Sequence, residues 1–123
     1  MFEYEAKMLR IVDGDTYWLD LDLGFRIRTQ IEVRMAHINT PETVNYTAKG
    51  IVDPAAVYVA QCVPPGAVCV VQISRAEKYG RWLATILYQP GALKRDDILR
   101  NPRVLNDELV QKGFAVHYEG GKK

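Results

Sequence analysis

Asp13 and Asp15 flank Gly14 in the run Val12-Asp13-Gly14-Asp15-Thr16. Two carboxylates on either side of a glycine turn can aim both charges at one hard cation, and glycine permits the backbone path. An Asp-Gly pair is also common in hairpin turns, where both acids simply face water. A second run, Arg34-Met35-Ala36-His37-Ile38-Asn39-Thr40-Pro41-Glu42, offers neutral oxygens from Asn39 and the Thr40 carbonyl, with the Glu42 carboxylate just beyond. It reads equally well as a capped turn, with Thr40 as N-cap and Pro41 at the first helical position. A third run, Lys78-Tyr79-Gly80-Arg81, sets a guanidinium fork and a point charge in a tight turn. The fork fits two phosphate oxygens, and Tyr79 can hydrogen-bond a phosphate or stack on a base. A polar hairpin turn is the plainer reading of that run.

The elements around these runs follow from periodicity. Tyr17, Leu19, Leu21 and Leu23 alternate with Trp18, Asp20 and Asp22, and Ile27, Ile31, Val33 and Met35 alternate with Arg28, Gln30, Glu32 and Arg34. A period of two predicts half-buried antiparallel strands over Tyr17 to Leu23 and Ile27 to Met35, joined by a turn at Gly24. An earlier strand is expected over Glu5 to Val12, and later ones over Ala67 to Ser74 and Trp82 to Tyr88. Asp53 is a good N-cap and Pro54 suits the first helical position, so a helix starts there and stops at Pro64-Pro65-Gly66. Its apolar face is Ala55, Ala56, Val59, Cys62 and Val63, with Val52 and Val57 spaced for a hydrophobic staple. Asn106 is expected to cap a short helix ending at Gly113. Pro90 to Arg103 reads as a loop with room for a helical turn at Asp96 to Arg100. The fold class is α+β, mainly β: a five-stranded OB-type barrel with two short helices, in a single domain over 1–123.

Composition limits the partners. The chain has 123 residues, 48% hydrophobic and 25% charged, with a formal charge of only +1. That is a globular balance without a global polycationic signal, so nucleic acid would need a local basic groove or a cation. Cys62 and Cys69 show neither a disulfide framework nor, with His37 and His117, zinc spacing. The acidic start Met1-Phe2-Glu3-Tyr4-Glu5 is unlike a signal peptide, and no apolar run reaches spanning length, so a soluble cytoplasmic protein with no membrane partner is expected.

In order and residue type, the three runs resemble the staphylococcal nuclease-like (thermonuclease) family, from about Met8 to Ala115. The resemblance includes Val104-Leu105-Asn106, Leu109-Val110 and Gly113-Phe114-Ala115. It implies an OB barrel that cleaves DNA, RNA or both with calcium. It places Asp15 as a direct calcium ligand, the Thr40 carbonyl as another, and Asp13 near the metal through water. Glu42 falls at the general base, and Arg34 and Arg81 at the arginines that hold the scissile phosphate. Lys78 and Tyr79 fall at contacts to a terminal phosphate or neighbouring nucleotide, and Tyr118 near the tyrosines of the nucleotide pocket. Asn39 departs from the family, which often has a second carboxylate ligand here. An amide still offers an oxygen but removes one negative charge, and calcium affinity follows ligand charge. Two readings result. The first is a calcium-dependent nuclease, its activity reduced by Asn39. The second is a catalytically weak or inactive nuclease-like OB domain that binds nucleic acid or a protein.

Overall fold

The computed structural model describes residues 2–40, 45–47, 50–76 and 80–118, with backbone alone at 45–47 and 50–52. In chain order the strands and helices are β1 (Phe2–Asp13), β2 (Thr16–Asp22), β3 (Arg28–Met35), β4 (Ile38–Asn39), β5 (Asn45–Thr47), β6 (Gly50–Val52), α1 (Pro54–Cys62), β7 (Val68–Ala76), β8 (Trp82–Tyr88), α2 (Arg95–Leu99), β9 (Arg103–Val104), α3 (Leu105–Gln111) and β10 (Val116–His117). Strands β3, β2, β1, β7 and β8 hydrogen-bond in that order, antiparallel throughout. A parallel seam of Val33, Arg34 and Met35 with Trp82, Leu83 and Ala84 joins β8 back to β3 and closes the barrel. This is the OB-type, mainly β, α+β fold. Strand β9 extends the sheet beyond β8.

The predicted alternation fills the barrel. Tyr17, Leu19, Leu21, Val33 and Met35 are buried and meet Met8, Val71, Ile73, Ala84 and Ile86 in one core. Each such side chain contributes roughly 1.5–3 kcal/mol through burial. The pattern fails at the β2–β3 tip. Leu23 and Ile27 are exposed there, because the hairpin runs past the barrel wall. Its turn is broader than Gly24 alone, since Phe25 and Arg26 also take positive φ.

Helix α1 begins as expected. The Asp53 carboxylate accepts the amides of Ala55 and Ala56, and Pro54 follows it. Ala55, Val59 and Val63 enter the core, but Val57 is exposed, and the Val52 side chain of the expected staple lies outside the described residues. One helical expectation is extended and another needs correction. The helical turn at Asp96 to Arg100 forms as α2, a helix beyond the two short ones expected, where Ile98 packs on Val70 and Leu87 against the sheet. Asn106 does not cap α3: the cap position is Val104, without a side-chain bond, and Asn106 is buried in the first turn. Burial of Leu105 on the barrel sets where this helix starts.

Glu108 ties α3 to its neighbours. Its carboxylate accepts Tyr58 Oη at 3.0 Å, Tyr88 Oη, and Arg103 Nε at 2.6 Å. Burial opposes ionisation of this carboxyl, but the bonds from Arg103, Tyr88 and Tyr58 outweigh it and hold the pKa below the ordinary 4.5. A depressed acid stabilises the fold above its unfolded pKa and loses that contribution as pH falls through its folded pKa. The stability gap between the parent and Glu108→Gln is therefore expected to be constant near neutrality and to shrink below about pH 4.5. Urea midpoints across the acid range read this directly, and a gap independent of pH would contradict it.

Candidate functional site

The β1–β2 turn, the end of β3, strand β4 with Thr40 just beyond it, the N-cap of α1 and the residue before β8 converge on one site. Together they line a cleft of about 360 Å³ with Asp13, Asp15, Thr16, Arg34, Asn39, Thr40, Asp53 and Arg81. The register explains the convergence. Thr16 faces Arg34 across the β2–β3 ladder, and Arg34 faces Leu83 across the seam, two residues from Arg81. Alternation that buries Tyr17, Val33 and Met35 sends Thr16 and Arg34 outward into the cleft.

Asp15 is the hub. Its Oδ2 lies 3.2 Å from Arg34 Nη1 and accepts the Thr40 amide at 3.2 Å. Its Oδ1 accepts the Thr16 hydroxyl at 3.3 Å, and that hydroxyl in turn accepts Arg81 Nη1 at 3.2 Å. Burial opposes ionisation of Asp15, but a hydrogen bond from Asp13, the Arg34 charge and the Thr40 amide outweigh it and keep the pKa below the ordinary range. Asp13 moves the other way. Desolvation at the cleft, and then hydrogen bonding and like charge from Asp15, push its pKa up to about 6. Two carboxylates on one cleft wall form a locus of excess negative charge.

Arg34 is held on several sides. Besides Asp15, it donates to the carbonyls of Met35 and Ile38 at 3.2 and 3.1 Å and, through Nη2, to Asn39 Oδ1 at 2.9 Å. The Tyr118 ring lies beside it, 5.9 Å from the guanidinium carbon to the ring centre, and the Tyr118 amide donates to the His37 carbonyl at 2.9 Å. That contact brings the β10 end of the chain to the cleft. Tyr17 supports the acidic turn from inside the barrel by donating to the Gly14 carbonyl at 2.6 Å. Burial first, and then the Asp15 charge, push the Tyr17 pKa well above its ordinary value, so it remains a neutral donor.

The residues named from sequence thus divide in two. Asp13, Asp15, Arg34, Asn39, Thr40 and Arg81 share the cleft, with Tyr118 against Arg34. Glu42, Lys78 and Tyr79 lie outside the described residues. Thr16 and Asp53 also line the cleft: Thr16 belongs to the run expected to wall the site but had no chemical role of its own, and Asp53 had none there. Thr16 stood inside the acidic run but has no charge to draw notice, and Asp53 was explained as a helix cap. In the Pro90 to Arg103 segment, Arg95 and Arg103 are engaged with Glu3 and Glu108.

The oxygen donors are of the hard type that calcium prefers. They are also partly committed, because the Asn39 oxygen and Asp15 Oδ2 both face Arg34. Among the described residues, no three Asp, Glu, His or Cys side chains form a group able to hold a metal ion. A divalent ion held by this set would therefore keep most of its water.

No curated protein matches the chain. A family described as staphylococcal nuclease homologue matches residues 32–123. The match covers the arginines, Asn39, Thr40 and Tyr118 but begins after the acidic turn at Asp13 to Asp15. Geometry, through the Asp15 bonds to Arg34 and Thr40, joins that turn to the matched segment. With about three quarters of its length matched, the chain belongs to the staphylococcal nuclease homologue family.

Proposed function

We propose that this nuclease-like OB domain binds the phosphodiester backbone of DNA or RNA in the cleft and hydrolyses it only weakly. The observation that carries the reading is the state of Arg34. Its guanidinium is already bound by Asp15, Asn39 and two carbonyls, while Arg81 approaches the same wall through Thr16. A phosphate entering the cleft must compete with Asp15 and Asn39 for Arg34. Arg81, Tyr118 and the Lys78 and Tyr79 positions of the family pattern add contacts to the phosphate and its nucleotide beside Arg34.

For the reaction, Asp15, the Asn39 oxygen and the Thr40 carbonyl would hold calcium, with Asp13 acting through water. When bound, the ion would offset charge on the phosphate and favour ionisation of a neighbouring water. Glu42 accepts the proton of the attacking water in this scheme. Arg34 and Arg81 hold the charge that builds on phosphorus and on the departing oxygen. Asn39 weakens the scheme twice, by giving up a negative charge and by pairing with Arg34. A fully active calcium nuclease is the second reading. The Asp13 and Asp15 carboxylates on one cleft wall favour it, since a cation there would relieve their repulsion.

The test uses labelled single-stranded DNA, double-stranded DNA and RNA, with calcium or with chelator, reading binding by anisotropy and cleavage on gels. Salt-sensitive binding in chelator is expected. Arg81→Ala should weaken it about tenfold and lower the salt slope by about one. Slow, calcium-dependent cleavage should accompany it. Binding indifferent to both salt and Arg81→Ala would overturn the proposal, and fast calcium-dependent turnover would favour the second reading.

A further inference from the structure

Asp53 stands where helix α1 meets the acidic turn. One carboxylate oxygen, Oδ1, accepts the amides of Ala55 and Ala56 at 3.0 and 3.3 Å, which is ordinary N-capping. The other, Oδ2, accepts the amide of Gly14 at 3.1 Å, across 39 positions of sequence. Gly14 is the central residue of the turn that carries Asp13 and Asp15. Packing reinforces the bond. A Cβ at Gly14 would lie 2.5 Å from the Ala55 Cβ and 3.1 Å from the Thr40 side chain, so the turn rests directly on the first turn of α1. Gly14 is thus gripped at both polar atoms, by Asp53 at its amide and by Tyr17 at its carbonyl.

We propose that Asp53 is a positioning residue that locks the Asp13-Gly14-Asp15 turn to the N-terminus of α1, so that the seating of this helix sets the spacing of the two cation-facing carboxylates. The inference rests on the reading of Asp13 and Asp15 as the cation-facing acids. A simple N-cap needs one oxygen. The second oxygen is spent on the turn, and only a carboxylate of aspartate length serves both sides at once. The bond also places a third carboxylate at a cleft where Asn39 supplies none. Helix, turn and Thr40 then move as one body, and Thr40 is the residue whose amide binds Asp15.

Two variants separate the clamp from the cap and from the charge. Asp53→Ser keeps a good helix cap but has one short oxygen, which cannot also reach Gly14. Asp53→Glu keeps the charge but displaces it by a methylene. The first readout is hydrogen exchange of the Gly14 amide by NMR, with the β2 amides as reference. The second is calcium binding by calorimetry, using the ion alone at low and high salt. In both variants the Gly14 amide should exchange at least about tenfold faster while β2 protection is retained, and calcium affinity should fall about tenfold at both salt levels.

Unchanged Gly14 exchange in Asp53→Ser would overturn the clamp. So would a calcium loss that appears in Asp53→Ser, is absent in Asp53→Glu and vanishes in high salt, because that marks a charge effect alone. If the parent binds no calcium, the cation reading fails, and Gly14 exchange alone then decides the clamp.

Discussion

Replacing Asn106 with leucine is expected to destabilise the protein by roughly 3–5 kcal/mol, with no change in the denaturant dependence of unfolding. Asn106 is 4% exposed and joins three backbone segments. Its Oδ1 accepts the Ile86 amide at 3.0 Å, and its Nδ2 donates to the carbonyls of Ala36 and Ala84 at 3.0 and 3.1 Å. Leucine has similar volume and no polar atoms, so the cavity term is small and the cost is electrostatic. The Ala84 carbonyl keeps the Ala36 amide at 2.8 Å, but the Ile86 amide and the Ala36 carbonyl lose the Asn106 partner inside the fold. Each stranded group costs about 1–3 kcal/mol. The damage should also reach the cleft. Ala36 opens the turn that carries the chain from Arg34 to Asn39, and freeing its carbonyl loosens the spacing of those two residues. Urea unfolding and anisotropy on the same variant read both effects. A loss below about 1 kcal/mol would show that the staple is dispensable.

Asn106 also shows where sequence reading stops. An asparagine ahead of an amphipathic run has the local signature of a cap, and only the fold reveals that its amide is used 20 and 70 residues away. Features decided locally were legible. The alternation of Tyr17, Leu19, Leu21, Val33 and Met35 places them in the core. The Asp53-Pro54 start of α1 and the stop at Pro64-Pro65-Gly66 are set by backbone chemistry within a few residues. Five strands with a helix between the third and fourth implied the OB barrel, but not the β4–β10 pairing that brings Tyr118 to Arg34. The site divides in the same way. Charged residues in a recognisable order were found from type and spacing. Thr16 had no role of its own in sequence because its hydroxyl matters only once Arg81, 65 residues on, is beside it. The near-neutral total charge hid a cleft where three aspartates and two arginines meet.

Asp15→Ala separates binding from chemistry more sharply than any other single change. Calcium-dependent cleavage, at whatever rate the parent shows, is expected to fall at least about 10³-fold, a loss comparable to removal of a principal transition-state contact. The reason is local. Asn39 contributes no charge, so Asp15 is the only anionic side chain placed directly on the cation in the proposed scheme, and Asp13 stands off through water. Nucleic-acid binding in chelator should move the other way. Asp15 holds Arg34 at 3.2 Å and is itself a negative charge facing the incoming phosphate. Removing it releases one side of the Arg34 fork and removes a repulsion, so affinity should rise severalfold and the salt dependence should steepen by up to one phosphate contact. Stability is a poor readout here, since stranding Arg34 and relieving the Asp13–Asp15 repulsion have opposite signs. Anisotropy in chelator and gel cleavage in calcium, run on the same preparation, give the two numbers. If binding and cleavage fall together, Asp15 orients Arg34 for phosphate rather than competing with it, and the account of a self-occupied arginine is wrong.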